Sequence, residues 1–225
     1  MQLKFDLHVH TSASHDGCSS ALEMAEAAKA RGLDGVAITD HDIVMDSLAA
    51  SSLSRKTGMI IIPGVEVTTA EGHLVILMPK RATPPGTGFM DAARAALADG
   101  SLPFIPHPTD PLSHGVGEAV VRGSIALRLP IEVLNASTAT KYNRTAGELA
   151  DDLSLPKLAS SDAHIAKAVG DAYTIIDASD RSVEASLEAI RAGKASPHGG
   201  RTPMTTTLEA FLRSFLRRAG IRKNV

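Results

Sequence analysis

Phe5-Asp6-Leu7-His8-Val9-His10 sets two imidazoles two residues apart at the end of an apolar run. In a strand that spacing puts both on one side of the pleat, where they can reach a single metal ion. Alone, the pair reads equally as two histidines hydrogen-bonded in a polar corner. Four more apolar runs, however, end in groups of the same kind: 35–39 at Asp40-His41, 59–65 at Glu66, 103–105 at Pro106-His107-Pro108, and 157–159 at Ser160-Ser161-Asp162-Ala163-His164. One such group is commonly a helix cap or a loop hydrogen bond, and Asp40 admits that reading. Five together point to metal, because a buried cluster of acids and imidazoles is costly without cations. Mixed nitrogen and carboxylate ligation suits Zn, Mn or Fe and disfavours a pure Mg or Ca site.

Two positions leave alternatives. His73 precedes the apolar run 74–78 rather than ending one. If 66–72 contains a tight reversal, that run returns antiparallel and His73 faces Glu66; otherwise it is an exposed turn residue. In Ser14-His15-Asp16-Gly17, Asp16 is preferred as a ligand over His15, with a turn acid before Gly17 as the other reading. His114 and His198 have no flanking strand end and read as surface residues.

The elements that must position these groups alternate. Apolar runs at 3–7, 35–39, 59–65, 74–78, 103–105, 131–134, 157–159 and 173–176 read as strands, and 20–31, 44–56, 89–98, 145–153 and 183–192 as helices. Ser19 or Ser20 with Glu23 makes a capping box, and Gly32 and Gly193 stand where helices stop. Strands interleaved with helices predict an α/β fold with a mostly parallel sheet, open or closed, whose C-terminal strand ends share one face. From Pro197 onward a breaker-rich segment leads into Leu208, Phe211, Leu212, Phe215 and Leu216 at helical spacing, read as a peripheral helix packed on the outside. The domain is expected over 1–196, with 197–225 as its helical extension.

Composition bounds the rest. With 225 residues, 44% hydrophobic and 21% charged, one globular domain is expected. A net charge of -2 gives no field for nucleic acid or anionic lipid, and five Phe, two Tyr and no Trp leave few faces on which bases could stack. No apolar stretch approaches the roughly 20 residues of a membrane span, no signal-peptide pattern opens the chain, and Cys18 has no disulfide partner. A cytoplasmic protein without a membrane role is expected.

The ordered set Asp6-Leu7-His8-Val9-His10-Thr11, Ser14-His15-Asp16-Gly17, Ile38-Thr39-Asp40-His41, Pro63-Gly64-Val65-Glu66, His107-Pro108, Glu132-Val133-Leu134-Asn135 and Ser161-Asp162-Ala163-His164 resembles the PHP (polymerase and histidinol phosphatase) family from about residue 3 to 195. The resemblance implies a distorted (β/α)7 barrel holding two or three divalent ions. One ion would take His8, His10, Glu66 and Asp162; a second Asp16, His41 and His164; a third Glu66, His73 and His107, with Glu66 bridging. Asn135 stands where some members carry a stronger ligand. The expected reaction is hydrolysis of a phosphate ester by a metal-bridged hydroxide, with Glu66, Asp162 and His164 at the catalytic centre. The substrate would be a small phosphorylated metabolite, a nucleotide or an oligonucleotide end. Arg144, then Lys141 and Lys167, are the expected cations for the phosphate. An amidohydrolase using the same metals, or a non-catalytic subunit of a polymerase or ribonucleoprotein, are the competing readings.

Overall fold

A computed structural model describes residues 1–219; the last six residues of the expected extension lie outside the described residues. Seven strands form the ring that carries the site: β1 (Gln2–Val9), β2 (Gly35–Ile38), β3 (Ile60–Thr68), β4 (His73–Leu77), β5 (Leu102–Phe104), β6 (Ile131–Asn135) and β7 (Lys157–Ser160). β1, β2 and β3 pair in parallel, β4 runs antiparallel between β3 and β5, and β6 pairs in parallel with β7. Isolated parallel bridges, Ile105 to Ile131 and Val9 to Ala163, join the two sheets at both seams. This is the distorted (β/α)7 barrel, in a single α/β domain. Outside the ring, β8 (Ala172–Asp177) lies antiparallel to β1, and β9 (Ala195–Gly199) antiparallel to β8. The pairing is thus mixed rather than mostly parallel, because β4 reverses through a short hairpin and β8 and β9 are appended to the edge of β1.

The helices are α1 (Ala21–Ala30), α2 (Ser47–Thr57), α3 (Phe89–Ala98), α4 (Glu118–Gly123), α5 (Thr140–Asp152), α6 (Val183–Arg191) and α7 (Met204–Arg218). α1 starts at the capping box: Glu23 N–H donates to Ser20 Oγ, and Glu23 Oε2 accepts from Ser20 N–H. Among the described residues no helix is long and apolar enough to cross a membrane.

One core gathers Leu3, Phe5 and Leu7 of β1 with Ile62, Leu77, Phe104 and, from α6, Leu187 and Ile190. A second lies between α1 and the sheet, where Met24, Ala25 and Ala28 meet Val9, Val36 and Ile38. The pairing of β1 with β2 shifts register between Asp6 and Val9. That irregularity lets Leu7 belong to the first core and Val9 to the second while His8 and His10 meet at the strand end, their Nε2 atoms 3.0 Å apart.

α7 departs from expectation. Its buried residues are Thr206 and Ser214, whereas Leu208, Phe211, Leu212 and Phe215 are exposed. Polar contacts hold it: Arg217 donates to the carbonyls of Ser12 and Ser14 at 2.7 and 2.9 Å and to that of Gly17. Packing through the apolar spacing is therefore corrected to docking through a guanidinium on the loop that carries Asp16.

Candidate metal centre

Glu66, only 1% exposed, sits at the middle of the barrel's C-terminal end. Its Oε2 lies 3.3 Å from His8 Nε2, 3.2 Å from His10 Nε2 and 3.2 Å from His41 Nδ1. Its Oε1 lies 2.9 Å from His73 Nδ1 and 3.0 Å from His107 Nε2. The hairpin explains His73: Thr68 pairs with His73 across the β3–β4 ladder, so the reversal brings that imidazole beside the acid.

Asp162 and Asp16 extend the cluster. Asp162 Oδ1 lies 3.3 Å from His10 Nε2 and 3.7 Å from both His8 Nε2 and His164 Nδ1. Asp16 Oδ2 lies 3.3 Å from His41 Nε2 and 3.1 Å from His164 Nε2. His15, two-thirds exposed, reaches the same oxygen only at 3.9 Å, so between the two it is Asp16 that the fold turns toward the imidazoles. Gly17 makes this loop possible, since a Cβ there would stand 2.1 Å from the Thr11 carbonyl oxygen.

Donor atoms fall into four sets within 4.8 Å of one another: His10, Asp16, His41 and His164; His8, His107 and Asp162; His8, His10 and Glu66; His41, Glu66 and His73. Bonds of about 2.0–2.1 Å in a tetrahedral site place ligand atoms roughly 3.3–3.4 Å apart, close to the spacings around Glu66. Orientation tests the fit further. Of the five imidazoles facing Glu66, only His107 meets it with hydrogen-bond geometry, and His73 Nδ1, buried and 2.9 Å away, forms no hydrogen bond. The other four imidazoles thus stand beside the carboxylate without bonding it, as ligands of a common ion would.

Burial alone would push Glu66 up, but His8 and the close approach of His10, His107 and His73 outweigh it and hold the carboxyl well below its ordinary range. Asp162 and Asp16 are held low in the same way, Asp162 chiefly by His8 and His10 and Asp16 by His164 and His41. Conversely, burial presses on His10 but Asp162 and Glu66 raise it to about 10, and His8 and His107 are raised for like reasons. Two of these groups also sit on left-handed backbone, His107 at φ 27° and Asp162 at φ 53°, the kind of local strain that clusters at functional sites.

In the sequence Glu132 stands only as part of a motif. It is fully buried in β6, its Oε1 3.5 Å from His8 Nδ1, while its Oε2 accepts from His107 N–H and Asn135 Nδ2, both at 2.8 Å. Its one mark in the sequence is an acid inside the apolar run 131–134, which says nothing of its partners. Asn135 Nδ2 also donates to Asp162 Oδ2 at 3.2 Å, so its amide braces two carboxylates. Asp40 accepts from Thr11 N–H and Oγ at 2.6 and 2.8 Å and is a loop brace, as its alternative reading had it.

The cluster opens into a cavity of about 580 Å³ whose wall includes His15, His114 and Arg218. His114 is exposed, with its ring 5.3 Å from that of His73, and His198 stacks on Tyr173 on β9, away from the cluster. The three expected phosphate cations do not line this cavity. Arg144 is exposed and 3.9 Å from Glu148, Lys141 covers the Tyr142 ring, and Lys167 pairs with Glu209 at 3.0 Å. Each is drawn to a partner on its own surface. Arg218 had no sequence signal, since a charge in an amphipathic tail looks like any solvated one.

Fold and site together define a mixed α/β barrel with a histidine–carboxylate cluster at its C-terminal strand ends. The chain belongs to the PHP domain family: residues 6–100 match the PHP domain and residues 140–195 the PHP-associated C-terminal region. It is 30% identical over 163 residues to a probable phosphatase of Caldicellulosiruptor saccharolyticus, covering 61% of this chain and 68% of that protein. A two-domain protein of Bacteroides vulgatus, described as containing a predicted PHP-like metal-dependent phosphoesterase, shares the fold with TM-score 0.70 at 23% identity over 95% of this chain and 70% of that one. A lesion-specific endonuclease of Pyrococcus furiosus shares it with TM-score 0.63 at 18% identity, over 88% of this chain and 58% of that one.

Proposed function

We propose that the protein is a metal-dependent phosphoesterase acting on a small phosphorylated compound. What carries the proposal is Glu66, whose carboxylate lies within 3.3 Å of five imidazoles at the base of a cavity of about 580 Å³. His8, His10, Glu66 and Asp162 would hold one divalent ion, Asp16, His41 and His164 a second, and Glu66, His73 and His107 a third. Bound ions of the Zn, Mn or Fe type supply charge neutralisation at a phosphoryl group and bring the pKa of water toward neutrality. Glu66, shared among the sets, would fix their spacing. Asp162 and His164 would set the cluster's open edge, where His164 is held by its Nδ1 contact, 2.9 Å, to the Asp162 carbonyl oxygen. His8 and His10 are fully buried at the base, so a substrate approaches through the cavity lined by Asp16, His41, His73 and His164.

A small substrate is favoured over a nucleic acid because the chain's charge is nearly balanced at -2 and its aromatics are few. The name of the Caldicellulosiruptor relative agrees with this reading. The test is elemental analysis of the purified protein with hydrolysis of a panel of phosphomonoesters, phosphodiesters and amides, with and without added Mn or Zn. Two or more ions per chain with metal-dependent phosphate release are expected, and Glu66→Gln should lower both. A wild-type protein that binds no transition metal, or that cleaves amides in preference to esters, would overturn the proposal.

A further inference from the structure

A second cavity of about 250 Å³ opens beside the cluster, between its Asp16, Asp162 and His164 edge and the inner face of α7. Apart from that edge, its wall is made of hydroxyl and apolar side chains, among them Ser137, Thr202, Thr206, Thr207 and Phe211, and of one cation, Arg218. Arg218 is the side chain of α7 that borders both this cavity and the larger one.

Three observations mark Arg218 as more than a solvated charge. Its Nε and Nη2 donate to Ser214 Oγ at 3.3 and 2.9 Å, a neutral anchor on the preceding turn, and among the described residues it forms no ion pair. Its neighbour Arg213 is paired with Glu209, at 2.7 Å, as is Lys167, at 3.0 Å. A guanidinium oriented by one hydroxyl keeps donors free for an anion and grips it through two bonds. The helix end that carries it is also fixed relative to the cluster, because Arg217 is tied to the carbonyls of Ser12, Ser14 and Gly17 on either side of Asp16.

The cavity wall holds a second mark. Thr202 is 7% exposed and its Oγ1 has no hydrogen-bond partner. A buried hydroxyl left unsatisfied is unfavourable, and a ligand hydroxyl would relieve it. Away from the cluster and Arg218 nothing charged lines the space, so it suits an uncharged group, and Phe211 offers a ring face.

We infer that Arg218 is the cation that holds the phosphoryl group, and that the cavity under α7 receives the leaving group, an uncharged ring alcohol carrying hydroxyls. This rests on the phosphoesterase reading for the leaving group but not for the anion, and the experiment separates the two. With the metal-loaded full-length protein, binding of inorganic phosphate is measured by calorimetry, and kcat and KM are measured for a pyranose phosphate and for glycerol phosphate. Arg218→Ala should weaken phosphate binding about 10- to 100-fold, with metal content and melting temperature unchanged, and Arg218→Lys should recover part of the loss. Phe211→Ala and Thr202→Val should raise KM for the pyranose ester more than for the glycerol ester, with phosphate binding as in wild type. Unchanged phosphate binding in Arg218→Ala overturns the anion site. An equal change for both esters in Phe211→Ala and Thr202→Val, or none, overturns the leaving-group pocket. If wild type binds phosphate but cleaves neither ester nor any other, the phosphoesterase reading and its pocket fall, and the calorimetry still decides Arg218.

Discussion

Glu132 shows how much a single buried group can govern without facing the substrate. Its Oε1 has no hydrogen-bond partner and lies 3.5 Å from His8 Nδ1, the ring nitrogen opposite the one that faces Glu66. A carboxylate behind an imidazole fixes its tautomer and ring orientation and strengthens it as a ligand. Glu132→Gln keeps the shape and removes the charge, so metal affinity should fall about 10- to 100-fold while the fold is retained. Chelator competition measures this, and unchanged affinity would reduce Glu132 to an acceptor for His107 and Asn135. The ligand-type residues at strand ends were legible in the sequence because their types recur where apolar runs stop. Glu132 was not, because its role depends on which imidazole stands behind it, and that is a tertiary fact.

Among the elements, the joint between β1 and β7 turns on Asp6. Fully buried, it accepts from Ser161 N–H and Oγ at 3.0 and 2.5 Å and from Gly170 N–H at 2.8 Å. Burial nevertheless dominates these donors and raises its carboxyl from 3.8 to about 6. A folded value above the unfolded one means stability that is fully present below pH 3.8 and lost as pH rises through about 6. A shift of this size corresponds to about 3 kcal/mol. Urea unfolding across that window should therefore show wild type losing stability relative to Asp6→Asn, since the lowered carboxylates of the cluster are common to both; parallel profiles would mean that Asp6 stays ionised throughout. The strand-and-helix alternation, the capping box and the hairpin that turns His73 toward Glu66 were readable from periodicity and punctuation. The antiparallel placement of β8 outside the ring, the strand β9 and the seating of α7 were not. Period-3.6 spacing reports an apolar stripe, but α7 is held by Arg217 on backbone carbonyls, and its stripe stays exposed, with Phe211 at the rim of the cavity under the helix.

Across the whole molecule a net charge of -2 conceals a concentration of buried ionisable groups at one end of the barrel. Without ions, His8, His10 and His107 are held protonated by Glu66 and Asp162 against the pull of burial, His10 to about 10. Folded values above the unfolded 6.5 give the metal-free protein stability that is complete below pH 6.5 and lost as pH rises through the folded values, about 10 for His10. Ions compete for the same nitrogens, so loading releases protons and apparent affinity strengthens with pH. The metal-free protein should therefore lose stability between pH 7 and 10, whereas the loaded protein should not. At a thousandfold excess over Kd the ions add about 4 kcal/mol, which in a chain of this length raises Tm by roughly 8–16 °C. Melting curves with chelator and with Mn or Zn at pH 7 and 9.5, together with proton release on loading measured in two buffers of different ionisation enthalpy, check both signs. Identical pH profiles with and without metal, or loading without proton release, would mean that the cluster stands as an ion-pair network in its own right, with Glu66 balanced by imidazolium rather than by metal.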